Sequence, residues 1–331
     1  PLFTKISLGT TGQGREAVEV AGRGRTSYQA MDDLITDAAV GYLKEKSTEN
    51  DRPFAAVVGY VLPHCPFVAP KELFDYYYER VDIPRPTDQE SANEPASVKR
   101  FKKFRLLEEP LSDERIRVAR AAYFGLCEYM DMRIGEVLDT LKETGLSENT
   151  LVIYTSDHGE TAGEHGCWWK SNYYEGSVGV PMIATLPGVI AEKSSSSAIC
   201  NLTDLGSTVV DVAGADPMPA VDGQSLWPTF QGQADSNLSD ETFSEHTSHH
   251  DSGGVSRMIR RGRWKLHMYH GDKHPALFDL DTDPGEMNDL GADKEYQMVR
   301  DELMDKLMDG WDPSAVEEGI ATYNRDNRLL T

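Results

Sequence analysis

Apolar residues spaced three or four positions apart form the longest regular pattern in the chain, between residues 112 and 144. This spacing places the residues on one face of a helix. The members of the stripe are Ile116, Ala119, Tyr123, Leu126, Met130, Ile134, Val137, Leu138 and Leu141. Gly145 follows, at a position where glycine commonly ends a helix. The pattern predicts a helix from about Ser112 to Thr144, and similar spacing predicts another from about Asp32 to Lys46.

Three apolar runs rich in β-branched residues predict strands of a sheet. They are Phe54–Leu62, Leu151–Tyr154 and Met182–Ala184. The composition of the first run predicts a strand buried on both faces. A succession of helices and strands is typical of an α/β fold, so we expect a mostly parallel sheet flanked by helices. Residues 1–30 are rich in glycine and are predicted to be loop. Residues 83–110 are polar with scattered prolines and are predicted to form a long excursion over the surface.

The pattern changes near residue 232, where short strand-like runs separated by glycine-containing turns begin. The runs are Thr242–Glu245, Ser256–Arg260, Trp264–Tyr269 and Ala276–Leu280. An amphipathic helix is predicted after them, from Glu295 to Met308. Several strands followed by a helix are typical of a small α+β domain with an antiparallel sheet. We therefore expect an α/β domain in residues 1–232 and a small sheet-and-helix domain in residues 233–331.

Composition excludes some classes of partner. The 331 residues carry a formal net charge of −22, whereas nucleic-acid binding requires clustered lysine and arginine. No apolar run approaches the length of a membrane span. The four cysteines lack CxxC spacing, which predicts free thiols and slightly favours the cytoplasm, with a periplasmic or secreted location as the alternative. We expect neither a nucleic acid nor a membrane as a partner, and leave a homo-oligomer open.

The predicted strand Leu151–Tyr154 leads directly to a pair of candidate metal ligands. Asp157 and His158 follow it, and Gly159 allows a sharp turn. Ligands bind beyond the carboxyl ends of strands in open α/β sheets. A carboxylate oxygen and an imidazole nitrogen together suit a divalent cation. The alternative for Asp157 is a helix cap.

Lys170 lies shortly afterwards, behind Trp168 and Trp169. A lysine among apolar side chains requires an anion as its partner, unless its ammonium extends to solvent. A metal and a lysine on one loop at a strand end predict an oxyanion ester as the substrate. Asp32 and Asp33 form another acidic pair, but they open a predicted helix, so we assign them to capping and first-turn charge.

Two stretches closely resemble type I sulfatases, members of the alkaline-phosphatase superfamily. DHGETAGEHGCWWK followed by YYEGSVGVPMI, which spans residues 157–170 and 173–183, is similar to their second signature region and most like the choline-sulfatase-like branch. MIRRGRWKLHMY and LFDLDTDPGEMNDL, within residues 258–290, resemble their C-terminal sheet domain. The resemblance implies an alkaline-phosphatase-like fold.

The resemblance also implies a nucleophile and a metal. Type I sulfatases use a formylglycine made within C/S-x-P/A-x-R, and its hydrated form attacks sulfur beside a Ca²⁺ ion. No cysteine or serine of this chain lies in that motif. We therefore expect this chain to be the C-terminal part of a sulfatase and to be inactive by itself. Its nucleophile is expected in a missing N-terminal segment. That segment is either a separate chain or was lost by cleavage or truncation. Asp157 and His158 are the predicted ligands, with Mg²⁺, Mn²⁺ and Zn²⁺ as alternatives to Ca²⁺.

Further site residues follow from the same resemblance. His64, within PHCPF, occupies the place of a histidine that contacts the sulfate or the leaving-group oxygen, so His64 and Lys170 are the predicted catalytic residues. His165, Trp168 and Trp169 are predicted to bind substrate, although the two tryptophans also suit pocket packing. The choline-specific branch usually has Asp at Cys65 and Arg at His165, which argues against choline sulfate itself.

The sequence as a whole predicts a sulfuric ester hydrolase that acts on a small-molecule or sugar sulfate ester. A phosphonate monoester or phosphodiester hydrolase of the same superfamily is the alternative within the enzyme class. A non-catalytic sulfatase-like module is the alternative outside it, because the chain lacks the nucleophile motif.

Overall fold

A computed structural model describes residues 13–49, 52–233, 238–248 and 254–328 of the chain. The helices of this part are α1 (Arg15–Glu19), α2 (Ser27–Lys46), α3 (Lys71–Tyr78), α4 (Asp88–Ala92), α5 (Ala96–Phe104), α6 (Asp113–Glu143), α7 (Glu175–Val178), α8 (Thr203–Val212), α9 (Trp227–Phe230), α10 (Gln297–Met308) and α11 (Pro313–Arg328). Among these residues, no helix combines the length and apolarity that a membrane span requires.

The described strands form three small sheets. They are β1 (Gly22–Arg23), β2 (Val68–Ala69), β3 (Val152–Thr155), β4 (Met182–Thr185), β5 (Glu241–Ser248), β6 (Gly254–Arg261), β7 (Trp264–Tyr269) and β8 (Ala276–Asp279). β1 pairs with β2 in parallel, and β3 pairs with β4 antiparallel with Val152 opposite Thr185. The last four strands form an antiparallel sheet in the order β5-β6-β7-β8. The predicted strands at β3 and β4 are confirmed, but a parallel relation between them is wrong.

Helix α6 confirms the prediction from apolar spacing because its ends carry local signals. The Ser112 side chain accepts a hydrogen bond from the Arg115 amide at 3.3 Å, and Gly145 has a φ of 75°. Ala119, Ala122 and Leu126 are fully buried on the inner face. Small residues there allow close packing against the neighbouring strand and helix.

Helix α2 begins earlier than its apolar pattern predicted. Thr26 and Gln29 form a capping box, so the helix starts at Ser27 rather than at Asp32. Asp32 is therefore a buried interior residue, and its assignment to a helix start is wrong. Its carboxylate accepts hydrogen bonds from the amides of Val61 and Leu62 at 2.9 and 3.0 Å. Asp32 thus holds the proline-rich turn that carries His64.

Three predictions about the first part of the chain are wrong. Phe54–Leu62 forms no strand among the described residues, and Val57 is 99% exposed. The amides and carbonyls of this run have no partner strand, and its exposed residues line an open cleft together with Ile183, which is 60% exposed. Residues 83–110 contain α4 and α5, and Phe101 is buried in the main core. Residues 1–30 also contain α1 and β1, although 1–12 lie outside the described residues.

The antiparallel sheet and helix predicted after residue 232 are confirmed, and α11 is added to them. Successive side chains of β8 point to opposite faces of the sheet and pack into two different hydrophobic cores. Leu277 packs with Leu303 and Leu307 of α10, whereas Phe278 packs into the core built by the first part of the chain. The division at residue 232 stays a prediction.

His267 on β7 predicts how stability depends on pH. Burial, together with the charge of Lys265, lowers the pKa of His267 to about 3. The unfolded state, with an ordinary imidazole, binds the proton more readily, so stability falls as the pH drops below about 6.5. We expect His267 to contribute a loss of roughly 1 kcal/mol per pH unit between pH 6 and pH 4. Urea denaturation of wild type and His267→Gln across this range measures it.

The matched control is His274→Gln, since His274 is an exposed histidine. The slope of stability against pH should become shallower in His267→Gln and stay unchanged in His274→Gln. Equal slopes in all three proteins would contradict the assignment.

Candidate active site

The loop after β3 holds Asp157 and His158 at the surface of a cleft. The His158 amide donates to Asp157 Oδ1 at 3.0 Å, and the Ser156 hydroxyl donates to the His158 carbonyl at 2.8 Å. These bonds fix both side chains on a short turn. The Asp157 side chain is 83% exposed and that of His158 31%, so both remain accessible to a ligand.

The hydrogen bonds of His158 leave one ring nitrogen available to a metal. Its Nδ1 lies 2.8 Å from the Gly159 carbonyl, which can only accept, so Nδ1 carries a proton and Nε2 is the nitrogen that a metal would use. Nε2 lies 3.5 Å from Asp157 Oδ2. Ligating histidines usually donate their second nitrogen to such a carbonyl, so the pair fits a divalent cation. The described residues form no group of three or more His, Cys, Asp or Glu placed to hold a metal ion, so this part of the chain offers only these two ligands at the turn.

His64 presents a single nitrogen to the same cleft. Its Nδ1 donates to the Cys65 carbonyl at 2.7 Å, and its Nε2 lies 3.5 Å from Nε2 of Gln13. Burial lowers the pKa of His64, the charges of Lys170 and His158 lower it further, and Asp157 opposes them. His64 lines the same cleft as Lys170, Asp157 and His158.

Lys170 is the cation of this site. It is half-buried and lines an open cleft of about 3550 Å³ together with His64, Asp157 and His158. Within the described residues its ammonium makes no hydrogen bond or ion pair. A half-buried ammonium without an ion-pair partner attracts an anion, so this cleft can bind an oxyanion at Lys170.

The three predicted substrate-binding residues are more deeply placed. His165 is stacked on Tyr174 with ring centroids 3.7 Å apart, and its Nδ1 lies 2.6 Å from Glu90 Oε1. Trp168 is 1% exposed and packs on Phe67. Trp169, equally buried, is the one of the three that lines the cleft. Their contact with substrate stays a prediction, and these packing partners favour a structural role for His165 and Trp168.

Sequence reasoning missed Glu160 and Gln13. Burial raises the pKa of Glu160 to about 7, and hydrogen bonds from the Ala162 and Trp169 amides oppose this increase. The signal for Glu160 was a carboxylate immediately after the Asp-His-Gly turn. Gln13 carried no local signal, because its position beside His64 depends on contacts between distant parts of the chain, such as the Arg105 bond to its carbonyl at 2.8 Å.

Two protein-family models match the chain. Residues 7–215 match the sulfatase family, and residues 163–311 match the C-terminal region of N-sulphoglucosamine sulphohydrolase. The first match includes His64, Asp157, His158 and Lys170.

Similar proteins of known name include sulfatases and a hydrolase of another ester. The chain is 30% identical to a choline-sulfatase of Rhizobium meliloti, over 89% of this chain and 59% of that protein. It is 29% identical to arylsulfatase K of Bos taurus, over 95% and 61% respectively. A phosphonate monoester hydrolase from Silicibacter pomeroyi superposes with a TM-score of 0.74 and 27% identity, over 84% of this chain and 59% of that one.

The chain spans about three fifths of the length of each of these relatives. The sulfatase model nevertheless covers more than half of the chain, and the predicted resemblance to type I sulfatases and the alkaline-phosphatase-like fold are confirmed. The chain therefore belongs to the sulfatase family.

Proposed function

We propose that this chain binds the sulfuryl group and the leaving group of a sulfate ester during hydrolysis. The observation that carries the proposal is the Lys170 ammonium, which has no ion-pair partner among the described residues and faces the same cleft as Asp157, His158 and His64. The substrate is a small-molecule or sugar sulfate ester, whose negative oxygens suit the Lys170 ammonium together with a divalent cation.

Lys170 and His64 have different proposed roles, one as a fixed cation and the other in proton transfer. Lys170 binds a non-bridging oxygen and stabilises the charge that develops on it. His64 exchanges a proton with the leaving-group oxygen at Nε2, because Nδ1 is committed to the Cys65 carbonyl. Burial keeps the pKa of His64 low in the free protein, and an anionic ester beside Nε2 raises this pKa again by charge attraction. The bound substrate itself thus adjusts the pKa of His64.

A divalent cation would be held by Asp157 and His158 Nε2. Ca²⁺ is our first choice, with Mg²⁺, Mn²⁺ and Zn²⁺ as alternatives, and the ion supplies positive charge to the sulfuryl oxygens when bound. Because two ligands make a weak site, we expect this chain by itself to bind Ca²⁺ more weakly than micromolar. Isothermal titration calorimetry measures this affinity, and micromolar or tighter binding lost in Asp157→Asn would contradict the expectation of a partial site.

We further propose that a formylglycine nucleophile comes from a polypeptide segment outside these 331 residues. Three observations support this proposal. The C/S-x-P/A-x-R motif is absent from the sequence. The relatives are longer than the chain. Val57 and Ile183 are exposed apolar residues that line the cleft itself, where strands of another segment would cover them.

The proposed function is tested by comparing rates on an aryl sulfate and an aryl phosphonate ester of the same phenol. The assay uses the protein with its nucleophile-bearing segment. A higher kcat/KM on the sulfate supports the proposal. A clear preference for the phosphonate would overturn it in favour of the second candidate, which the likeness to a phosphonate monoester hydrolase supports. No turnover of either ester would favour a non-catalytic module.

His64→Ala should lose activity according to the leaving group. Proton transfer contributes about 10²–10⁴-fold in typical enzymes, and it matters most for poor alkoxide leaving groups. We expect a loss of roughly a hundredfold or more on alkyl sulfates and much less on activated aryl sulfates. A plot of log kcat/KM against leaving-group pKa should therefore be steeper in the variant. An equal loss on every ester would assign His64 to sulfate binding instead.

A further inference from the structure

The loop that leads to Lys170 has an unusual backbone. Four of its residues other than glycine adopt positive φ angles, a region that side chains with a Cβ rarely occupy. They are Ala162 at 47°, His165 at 54°, Trp169 at 64° and Ser171 at 73°. The last two flank Lys170 directly. Such a backbone persists when surrounding contacts hold it, so the contacts of Trp169 decide where Lys170 points.

Two consecutive residues, Glu160 and Thr161, hold the backbone amide and carbonyl of Trp169 by hydrogen bonds. Glu160 Oε1 accepts the Trp169 amide at 2.5 Å and the Ala162 amide at 3.0 Å. The Thr161 amide and hydroxyl both donate to the Trp169 carbonyl, at 3.0 and 2.5 Å. Both polar backbone groups of the residue before Lys170 are therefore bonded to residues 160 and 161.

The Glu160 carboxylate accepts hydrogen bonds from the loop and makes none with the Lys170 ammonium. The two side chains interact through their charges, but no hydrogen bond or ion pair joins them. A direct bond would occupy the ammonium and weaken its attraction for an anion. Glu160 therefore holds the backbone of the loop, while the Lys170 ammonium remains available to an anion in the cleft.

We propose that Glu160 is a positioning residue that fixes the Trp169 peptide so that the Lys170 ammonium meets the anionic ester. The inference rests on the proposed role of Lys170, and it adds a residue that acts through another without touching the substrate. Glutamine at position 160 keeps the accepting oxygen, whereas alanine removes it. Comparing these two variants therefore distinguishes the role of the accepting oxygen of Glu160 from the role of its negative charge.

A double-mutant cycle tests the inference. Glu160→Ala should lower kcat/KM about tenfold or more when Lys170 is present, and less than twofold in the Lys170→Ala background. Glu160→Gln should retain activity within about threefold of wild type. Glu164→Ala is the matched control, since this exposed acid lies in the same loop without a bond to Trp169, and it should leave activity unchanged.

Each other outcome overturns the inference. An equal loss from Glu160→Ala in both backgrounds would indicate a general structural role, and a Glu160→Gln variant as impaired as Glu160→Ala would indicate a role for the charge. If Glu160→Ala does not fold, Thr161→Val removes one bond to the Trp169 carbonyl, and its loss should likewise vanish in the Lys170→Ala background.

The cycle is measured on both the sulfate and the phosphonate ester, so that the two proposals fail separately. Coupling between Glu160 and Lys170 on a preferred phosphonate would preserve the positioning role while the proposed sulfatase function fails. Full activity of Lys170→Ala on both esters would remove the role of Lys170, and with it the role of Glu160.

Discussion

Lys170→Ala is expected to lower kcat/KM for an aryl sulfate by roughly a hundredfold or more. Removing one preorganised contact to a developing charge commonly costs about 3 kcal/mol in the transition state. Lys170 fits that description, because its half-buried ammonium lines the cleft and has no ion-pair partner among the described residues. Thermal stability should change little, since the ammonium stabilises no described carboxylate by a salt bridge. Steady-state kinetics and a melting curve of the same sample check both parts.

Two further variants sharpen this prediction. Lys170→Arg should restore little activity, because the longer planar guanidinium does not fit the ammonium's place beside buried Trp169. Lys273→Ala, which removes an exposed lysine, is the matched control and should be as active as wild type. Near-full activity of Lys170→Ala would remove the observation on which the proposed function rests.

Lys265→Ala should be the most destabilising of the substitutions considered. Lys265 is fully buried, and its ammonium binds Glu286 and also Glu175 at 2.8 Å. Glu286 is 3% exposed, so alanine at position 265 leaves a buried carboxylate without its cation. Removing one partner of a buried ion pair costs roughly 3–5 kcal/mol. Urea denaturation at neutral pH measures the loss.

The control for Lys265 is a partly exposed ion pair of the same type. Lys306 binds Glu241 at 2.8 Å and its side chain is 34% exposed, so Lys306→Ala should cost less than about 1 kcal/mol. A triple variant that replaces Lys265 by Met and both glutamates by Gln should recover most of the stability lost in Lys265→Ala, because it leaves no buried charge. Similar losses in Lys265→Ala and Lys306→Ala would contradict the buried-pair argument.

The same ion pair joins the C-terminal sheet to the site. Lys265 lies on β7, and Glu175 begins α7, shortly after Lys170. The Glu175 amide also donates to Glu286 Oε2 at 2.6 Å. The loop that carries Lys170 is therefore held at one end by the Glu160 and Thr161 contacts and at the other by the sheet.

The sequence by itself determined the elements whose signals are local. The apolar stripe and Gly145 predicted α6 within a residue or two at each end, because side-chain spacing and a helix-ending glycine act within one or two turns. The motif around Asp157, His158 and Lys170 predicted residues that the fold does bring together in one cleft, since they lie on one short loop after one strand.

The tertiary structure alone decided the features that depend on distant partners. Phe54–Leu62 has strand-forming residues, but a strand also requires a neighbour for its backbone, and none lies beside it in the described part. Asp32 resembles a helix start in the sequence, yet it accepts the amides of Val61 and Leu62 because the capping box at Thr26 places it inside α2. Glu160 acts through a residue nine positions later. Composition and spacing record which residues are available, whereas hydrogen bonds between distant segments decide which of them meet.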